Sequence, residues 1–235
     1  MKINYSLMST DTNPLYYDFI PVMIKTWNRL GITPVFAIVS DKNGIEINND
    51  CIYYYFKVLP NIKPNFQTLF ARIWLWKELQ GNCILSDIDM LPISSDYFNG
   101  IASNYDDDYI VSYCHDAKAL FDQIASCYIL ASSGTMNNLI AETSWNEFIY
   151  NRAKEYEQAW GGDQVYLETL CDAHDKLATL ERGWFRSGIA HNRLDRISWY
   201  YNDEDVITGK IYDAHLLRPY VEHKEKIDNL VALCH

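Results

Sequence analysis

The chain has 235 residues, 49% of them apolar, with 18 Tyr and 7 Trp, which excludes a disordered chain and supplies enough material for a full core. Its formal charge of −11 excludes binding to nucleic acid or anionic lipid through the bulk field, since both reward a basic face. An anionic substrate would need local help from a metal or from a few chosen cations.

In chain order, residues 3–8 predict a short strand ending in the turn and capping residues Ser9, Thr10, Asp11, Thr12, Asn13 and Pro14. Tyr16, Phe19, Ile20, Met23, Ile24, Trp27 and Leu30 recur at helical spacing and predict one helix over 15–30, with Pro21 as a point of kinking and Gly31 as the stop. Residues 34–39 predict a second strand, Ser40 to Gly44 a turn, and 51–58 a third strand. Strand, helix and strand imply a parallel crossover. Pro64 and Asn65 open a helix whose apolar positions Phe66, Leu69, Phe70, Ile73, Trp76 and Leu79 run to Gly81. It leads into Cys83-Ile84-Leu85-Ser86-Asp87-Ile88-Asp89-Met90-Leu91-Pro92, an apolar run that ends in two carboxylates. Further on, 109–113 and 126–131 read as strands, 136–160 as one or two helices, and 163–171 as a helix after the Gly161-Gly162 break. Residues 211–217 read as extended and 221–233 as a closing helix. With no internal repeat or linker, one domain spanning 1–235 is expected.

This alternation makes an α/β sheet flanked by helices the leading fold class, and in such sheets ligands bind beyond the carboxyl ends of the strands. Ser9-Thr10-Asp11, Ser40-Asp41 and Asp87-Ile88-Asp89 all fall at such ends. A strand interior cannot hold two unpaired carboxylates, so Asp87 and Asp89 must meet a cation or water where the strand leaves the core. Two other D-x-D pairs, Asp106/Asp108 and Asp203/Asp205, lie in polar loops and read as solvated surface. The six cysteines show no C-x-x-C spacing and read as small hydrophobes of a reduced protein. Residues 1–7 lack the long apolar run of a signal peptide and no later stretch is long enough to span a bilayer, so a cytoplasmic protein is expected.

Ala71-Arg72-Ile73-Trp74-Leu75-Trp76-Lys77 followed by Ile84-Leu85-Ser86-Asp87-Ile88-Asp89-Met90-Leu91-Pro92 resembles the helix and D-x-D strand of GT-A-fold glycosyltransferases, which use nucleotide-sugar donors. Trp160-Gly161-Gly162-Asp163-Gln164 resembles the Asp-Gln helix start of that family, and Asp213-Ala214-His215-Leu216-Leu217-Arg218-Pro219 its C-terminal His segment. The resemblance implies a single-domain GT-A fold with a Rossmann-like mixed sheet, nucleotide-binding over about 1–92 and acceptor-binding or catalytic over about 93–235. It also implies transfer of a sugar from a nucleoside-diphosphate donor, UDP-linked, to a glycan or other hydroxyl acceptor, with Mn²⁺ or Mg²⁺ as cofactor.

Under that resemblance Asp87, Asp89 and His215 are the metal site, Ser9, Thr10, Asp11, Arg72, Ser86, Ile88 and Arg218 contact the nucleotide, and Asp163 and Gln164 serve catalysis. Ser126, Cys127, Trp160, Gly161 and Gly162 form the sugar or acceptor pocket, with Ser132-Ser133-Gly134 as a weaker candidate. Each has a plainer reading beside it. His215 between apolar neighbours fits a structural histidine. Arg72 fits a structural ion pair as well as contact with Asp87 or the donor. Ser9, Thr10, Asp11 and Asp163 fit helix capping, and Arg218 a surface ion pair. Asp163 would be the base in an inverting enzyme and, with Gln164, would hold the donor sugar in a retaining one. His115, His174, His191, His223 and His235 have no comparable context. Two other classes compete: a nucleotidyltransferase or phosphohydrolase, against which stands the lack of glycine in the first strand-end loop, and a non-catalytic carbohydrate-binding protein, which needs no paired acids.

Overall fold

A computed structural model of the chain describes residues 1–184 and 188–234; His235 lies outside the described residues. In order the elements are β1 (Tyr5–Asp11), α1 (Pro14–Tyr17), α2 (Ile20–Arg29), β2 (Thr33–Ser40), β3 (Gly44–Ile47), β4 (Ile52–Lys57), α3 (Pro64–Glu78), β5 (Asn82–Leu85), β6 (Met90–Pro92) and β7 (Ile110–Ser112). There follow α4 (Lys118–Phe121), β8 (Ile129–Ser132), α5 (Ser133–Leu139), α6 (Trp145–Glu155), α7 (Gly162–Asp172), β9 (Leu177–Thr179), β10 (Arg193–Leu194), α8 (Asp203–Ile207), β11 (Asp213–His215) and α9 (Tyr220–Leu233).

Eight strands form one mixed sheet in the order β3-β4-β2-β1-β5-β8-β7-β9. Its centre, β4-β2-β1-β5, is parallel, and β8 runs against β5. Alternate residues of these strands belong to different cores. Leu7, Val35, Ala37, Val39, Cys83 and Leu85 pack with Phe70, Trp74 and Trp76 of α3, while Met8, Phe36, Ile38 and Ile84 pack with Met23 and Trp27 of α2 and Leu230 of α9. Burial on both faces is why the central strands read as near-continuous apolar runs rather than as alternating ones. The same position between sheet and flanking helices makes α3 apolar over most of its circumference.

Among the described residues a second sheet has three strands in the order β10-β11-β6. The chain crosses from β5 of one sheet to β6 of the other through residues 86–89, so the paired acids occupy a crossover. Pro92 is the last residue of β6, paired with Asp213 of β11. The helix expected over 15–30 is two, α1 and α2, because Pro21 has no N–H to continue a helical ladder and sits instead in the first turn of α2, where none is needed. The stretch after Ser40 is more than a turn: β3 pairs antiparallel with β4 and forms an exposed edge.

Candidate active site

One cavity of about 430 Å³ opens beyond the carboxyl ends of β1 and β5, a volume suited to a small-molecule ligand. Ser9, Thr10, Asp11, Arg72, Asp87, Ile88, Asp89, Ser126, Trp160, Gly161, Asp163, Gln164, His215 and Arg218 all line it, together with Arg196. Of the residues singled out from the sequence, Ser86, Cys127 and Gly162 do not.

Arg72 organises one end. It projects from α3 with 5% of the residue exposed and bonds Asp87, the Ser86 carbonyl at 3.1 Å, Ser126 Oγ at 3.1 Å and Asp163 Oδ2 at 2.8 Å. Burial pulls the guanidinium pKa down, but the charges of Asp87 and Asp163 more than offset it and the net shift is upward. The two carboxylates it bridges are pushed apart. Burial raises Asp163 and Arg72 only partly offsets that, whereas at Asp87 the opposing pull of Arg72 and then His215 wins and the pKa falls. Asp163 is 1% exposed at the start of α7, while the Asp87 side chain keeps 34% of its surface open.

The small sheet builds the other end. β11 pairs with β6 so that His215 lies opposite Met90, and the Leu216 amide donates to the Asp89 carbonyl at 2.9 Å. β10 runs parallel to β11 and delivers Asp195 and Arg196 beside His215. His215 Nδ1 is 3.4 Å from Asp195 Oδ2, and Nε2 is 3.5 Å from Asp89 Oδ2. Asp195 only accepts and the Arg196 guanidinium only donates, so Nδ1 carries the ring proton and Nε2 offers its lone pair to Arg196. The Arg196 guanidinium donates to Asp89 Oδ2 at 3.2 Å and to His215 Nε2. Arg218 Nε is 3.6 Å from the same Asp89 oxygen, and its NH1 donates to the Tyr16 hydroxyl.

Two electron-pair donors facing one cation, with the imidazole held from behind by a carboxylate, are chemically suited to Mn²⁺ or Mg²⁺. Asp87 stands apart from this pair in its contact with Arg72, and no group of three or more His, Cys, Asp or Glu side chains able to hold a metal is formed among the described residues.

The remaining candidates divide by what their side chains touch. Ser9 Oγ donates to the Thr68 carbonyl at 2.5 Å and Thr10 Oγ1 to the Asp11 carbonyl at 3.0 Å. Asp11 accepts from the Asn13 amide at 2.9 Å, and the cap of α1 is Asn13 rather than any of these three. Trp160 is 76% exposed at the rim. Gly161, at φ 84°, is the cap of α7. A Cβ on Gly162 would lie 3.0 Å from Tyr156 Cβ, so that glycine serves the protein's own packing and not the approach of a ligand. Cys127 is buried behind Asp87, and burial followed by the Asp87 charge pushes its thiol well up, keeping it neutral. Ser86 is fully buried and meets Arg72 only through its carbonyl. Ser132 caps α5 and Ser133 is buried within it, which places the Ser132-Ser133-Gly134 group away from the cavity.

No protein-family model and no curated protein matches the sequence. Solved structures do match in fold. LgtC, a galactosyltransferase in complex with donor and acceptor sugar analogues, is 11% identical over 97% of this chain and 95% of its own, with a TM-score of 0.53. A glycosyltransferase involved in glycosylation of the major capsid of PBCV-1 is 10% identical over 96% of this chain and 99% of its own, with a TM-score of 0.53. GlyE of Streptococcus pneumoniae TIGR4 is 13% identical over 99% of this chain at a TM-score of 0.53, and the chain spans 63% of that protein; against a second GlyE structure it spans 46%. The chain has the GT-A fold of these glycosyltransferases. At 10–13% identity the likeness is one of fold. No helix among the described residues is long and apolar enough to cross a membrane.

Proposed function

We propose that the protein is a metal-dependent glycosyltransferase that moves a sugar from a UDP-linked donor to a hydroxyl of a glycan or similar acceptor. The observation that carries this reading is the meeting, in one cavity of a GT-A fold, of Asp89 from the crossover between the sheets and His215 from β11 with two arginines and the Arg72-bridged acids. That the matched LgtC structure was solved with donor and acceptor sugar analogues supports a cavity with room for both.

In the reaction the anomeric C–O bond breaks and its electron pair leaves with the diphosphate, while the acceptor oxygen bonds the anomeric carbon and its proton passes to a base. Mn²⁺ or Mg²⁺, when bound, would neutralise charge on the diphosphate as a Lewis acid. Asp89 and His215 are the residues that would hold it, and Asp87 holds Arg72 and faces the donor ribose or the cation. Arg218 meets a diphosphate oxygen. Ser9, Thr10 and Asp11 line the nucleoside end, and Trp160 offers a flat face to a sugar ring. Asp163 and Gln164 face the glycosyl group. Asp163 takes the acceptor proton if configuration inverts; if it is retained, the proton goes to the departing diphosphate and Asp163 holds the donor. The unpaired cysteines support a reducing, cytoplasmic setting.

The test is incubation with a panel of nucleotide sugars and Mn²⁺, with and without chelator, scoring free nucleoside diphosphate. Chelator-sensitive release from one donor, absent in Asp89→Ala, is the expected result. An undiminished Asp89→Ala protein refutes the assignment, and the anomeric configuration of the product assigns Asp163.

A further inference from the structure

Arg196 differs from the buried arginines Arg72, Arg182 and Arg193. Arg182 and Arg193 are tied to Asp213, and Arg72 to Asp163, through buried contacts, and Arg72 also holds the partly open Asp87. The Arg196 side chain is 24% exposed, lines the cavity, and among the described residues its guanidinium bonds Asp89 and His215. Its main chain is held separately: Asp195 Oδ1 accepts from the Ile197 amide at 2.9 Å, and the Asp195 carbonyl accepts from the Ser198 amide at 3.1 Å. The head group is therefore able to leave its partners by side-chain rotation while the turn stays in place.

A guanidinium has donors only. Its two terminal nitrogens bond Asp89 Oδ2 and His215 Nε2, which are 3.5 Å apart, so that it bridges two electron-pair donors as an organic cation. Anything that binds that pair through the same lone pairs must move it. Once moved, the charge needs a new acceptor within reach of β10, and a diphosphate arriving in the cavity supplies one. Arg218, 3.6 Å from the same carboxylate oxygen, already gives this end two guanidinium charges for one facing acid.

We propose that Arg196 is a resident counter-cation of the Asp89–His215 pair, which it releases when the donor arrives, turning to the donor's diphosphate. This rests on the glycosyltransferase reading and adds a residue to it. Its consequence is coupled loading: the divalent cation binds poorly alone and well together with the nucleotide, because only the nucleotide rehouses Arg196.

The experiment measures Mn²⁺ binding alone, from the resonance of free Mn²⁺, and calorimetric binding of UDP, GDP, ADP and CDP in the presence of Mn²⁺, for the wild type, Arg196→Ala and Arg196→Lys. Relative to the wild type, Arg196→Ala binds Mn²⁺ alone about tenfold tighter and the preferred nucleoside diphosphate about ten- to a hundredfold weaker, the worth of one charged hydrogen bond. Arg196→Lys lies between on both. Circular dichroism confirms folding, and Arg196→Gln takes the place of the alanine variant if that variant is unfolded. Nucleotide binding unchanged by the substitution, or loss of both affinities together, overturns the role of Arg196 and leaves the donor reading standing. A wild type that binds none of the four nucleotides overturns both.

Discussion

Replacing Arg72 with alanine separates a buried charge from its partner, and the structure sets the scale of the effect. The guanidinium bonds Asp163 Oδ2 at 2.8 Å, and the Asp163 side chain has 2% of its surface exposed. Asp87, with 34% of its side chain open to the cavity, rehydrates and adds little. Leaving the buried carboxylate alone costs about 3–5 kcal/mol, or roughly 6–20 °C in Tm for a chain of this size. The effect has a pH signature. Asp163 already titrates above its ordinary 3.8 because of burial, and losing Arg72 removes the largest opposing influence. A carboxyl whose folded pKa exceeds its unfolded value destabilises the fold at high pH, and that penalty fades as pH falls through the folded value toward the unfolded one. Urea denaturation in chelator should therefore show the gap between wild type and Arg72→Ala narrowing from pH 8 to pH 5. Adding Asp163→Asn to Arg72→Ala should restore about 2 kcal/mol at pH 7.5, since no buried charge then remains. A gap independent of pH, or a double variant no more stable than Arg72→Ala, would refute the argument.

Asp213 is fully buried between Arg182 and Arg193, whose charges override burial and hold its carboxyl well below the usual range, so its contribution is complete above the unfolded value near 3.8 and lost as pH falls below it. Asp213→Asn should cost about 3–5 kcal/mol in urea denaturation at pH 7, and a loss under 1 kcal/mol contradicts the buried network. Trp160→Ala, at a residue 76% exposed, should leave Tm within about 1 °C while raising the acceptor KM several-fold with kcat little changed, as expected for a platform that binds a sugar ring and takes no part in bond breaking. Asp195→Asn weakens the hold on His215 Nδ1 and should reduce Mn²⁺ affinity about tenfold or more in titrations of the metal with nucleotide present, with the far-ultraviolet spectrum unchanged.

The sequence made the main sheet legible where burial on both faces leaves apolar runs, as in β2 and β5, and made α3 and α9 legible through helical spacing. It hid β3, because an edge strand with Ile45 and Ile47 facing solvent carries no buried pattern. It hid β9 and β10, which are three and two residues long and exist only through their partners β7 and β11. The acids at strand ends were visible because two carboxylates after an apolar run need a partner. Arg196 was not, for the opposite reason: an arginine in an aperiodic, exposed segment is unremarkable until the pairing of β10 with β11 sets it against a histidine 19 residues later and an aspartate 107 residues earlier. The Arg182–Asp213–Arg193 contacts, 31 and 20 residues apart, are hidden for the same reason.

The arrangement also answers how a chain of net charge −11 would admit a diphosphate. At the α3 end two acids, Asp87 and Asp163, share one guanidinium; at the small-sheet end two guanidiniums, Arg196 and Arg218, face one acid, Asp89. Among the groups facing the cavity the spare positive charge thus lies on the side built by β6, β10 and β11, with Asp195 behind His215, and under the proposed function a dianionic group would be drawn there and away from Asp163. Under the proposed function the glycosyl group of a donor held there would lie against Asp163 and Gln164, where positive charge developing on a sugar ring would meet a carboxylate. That polarity is produced by where two sheets meet: residues 86–89 belong to neither, and each of the two acids there takes its partners from a different side.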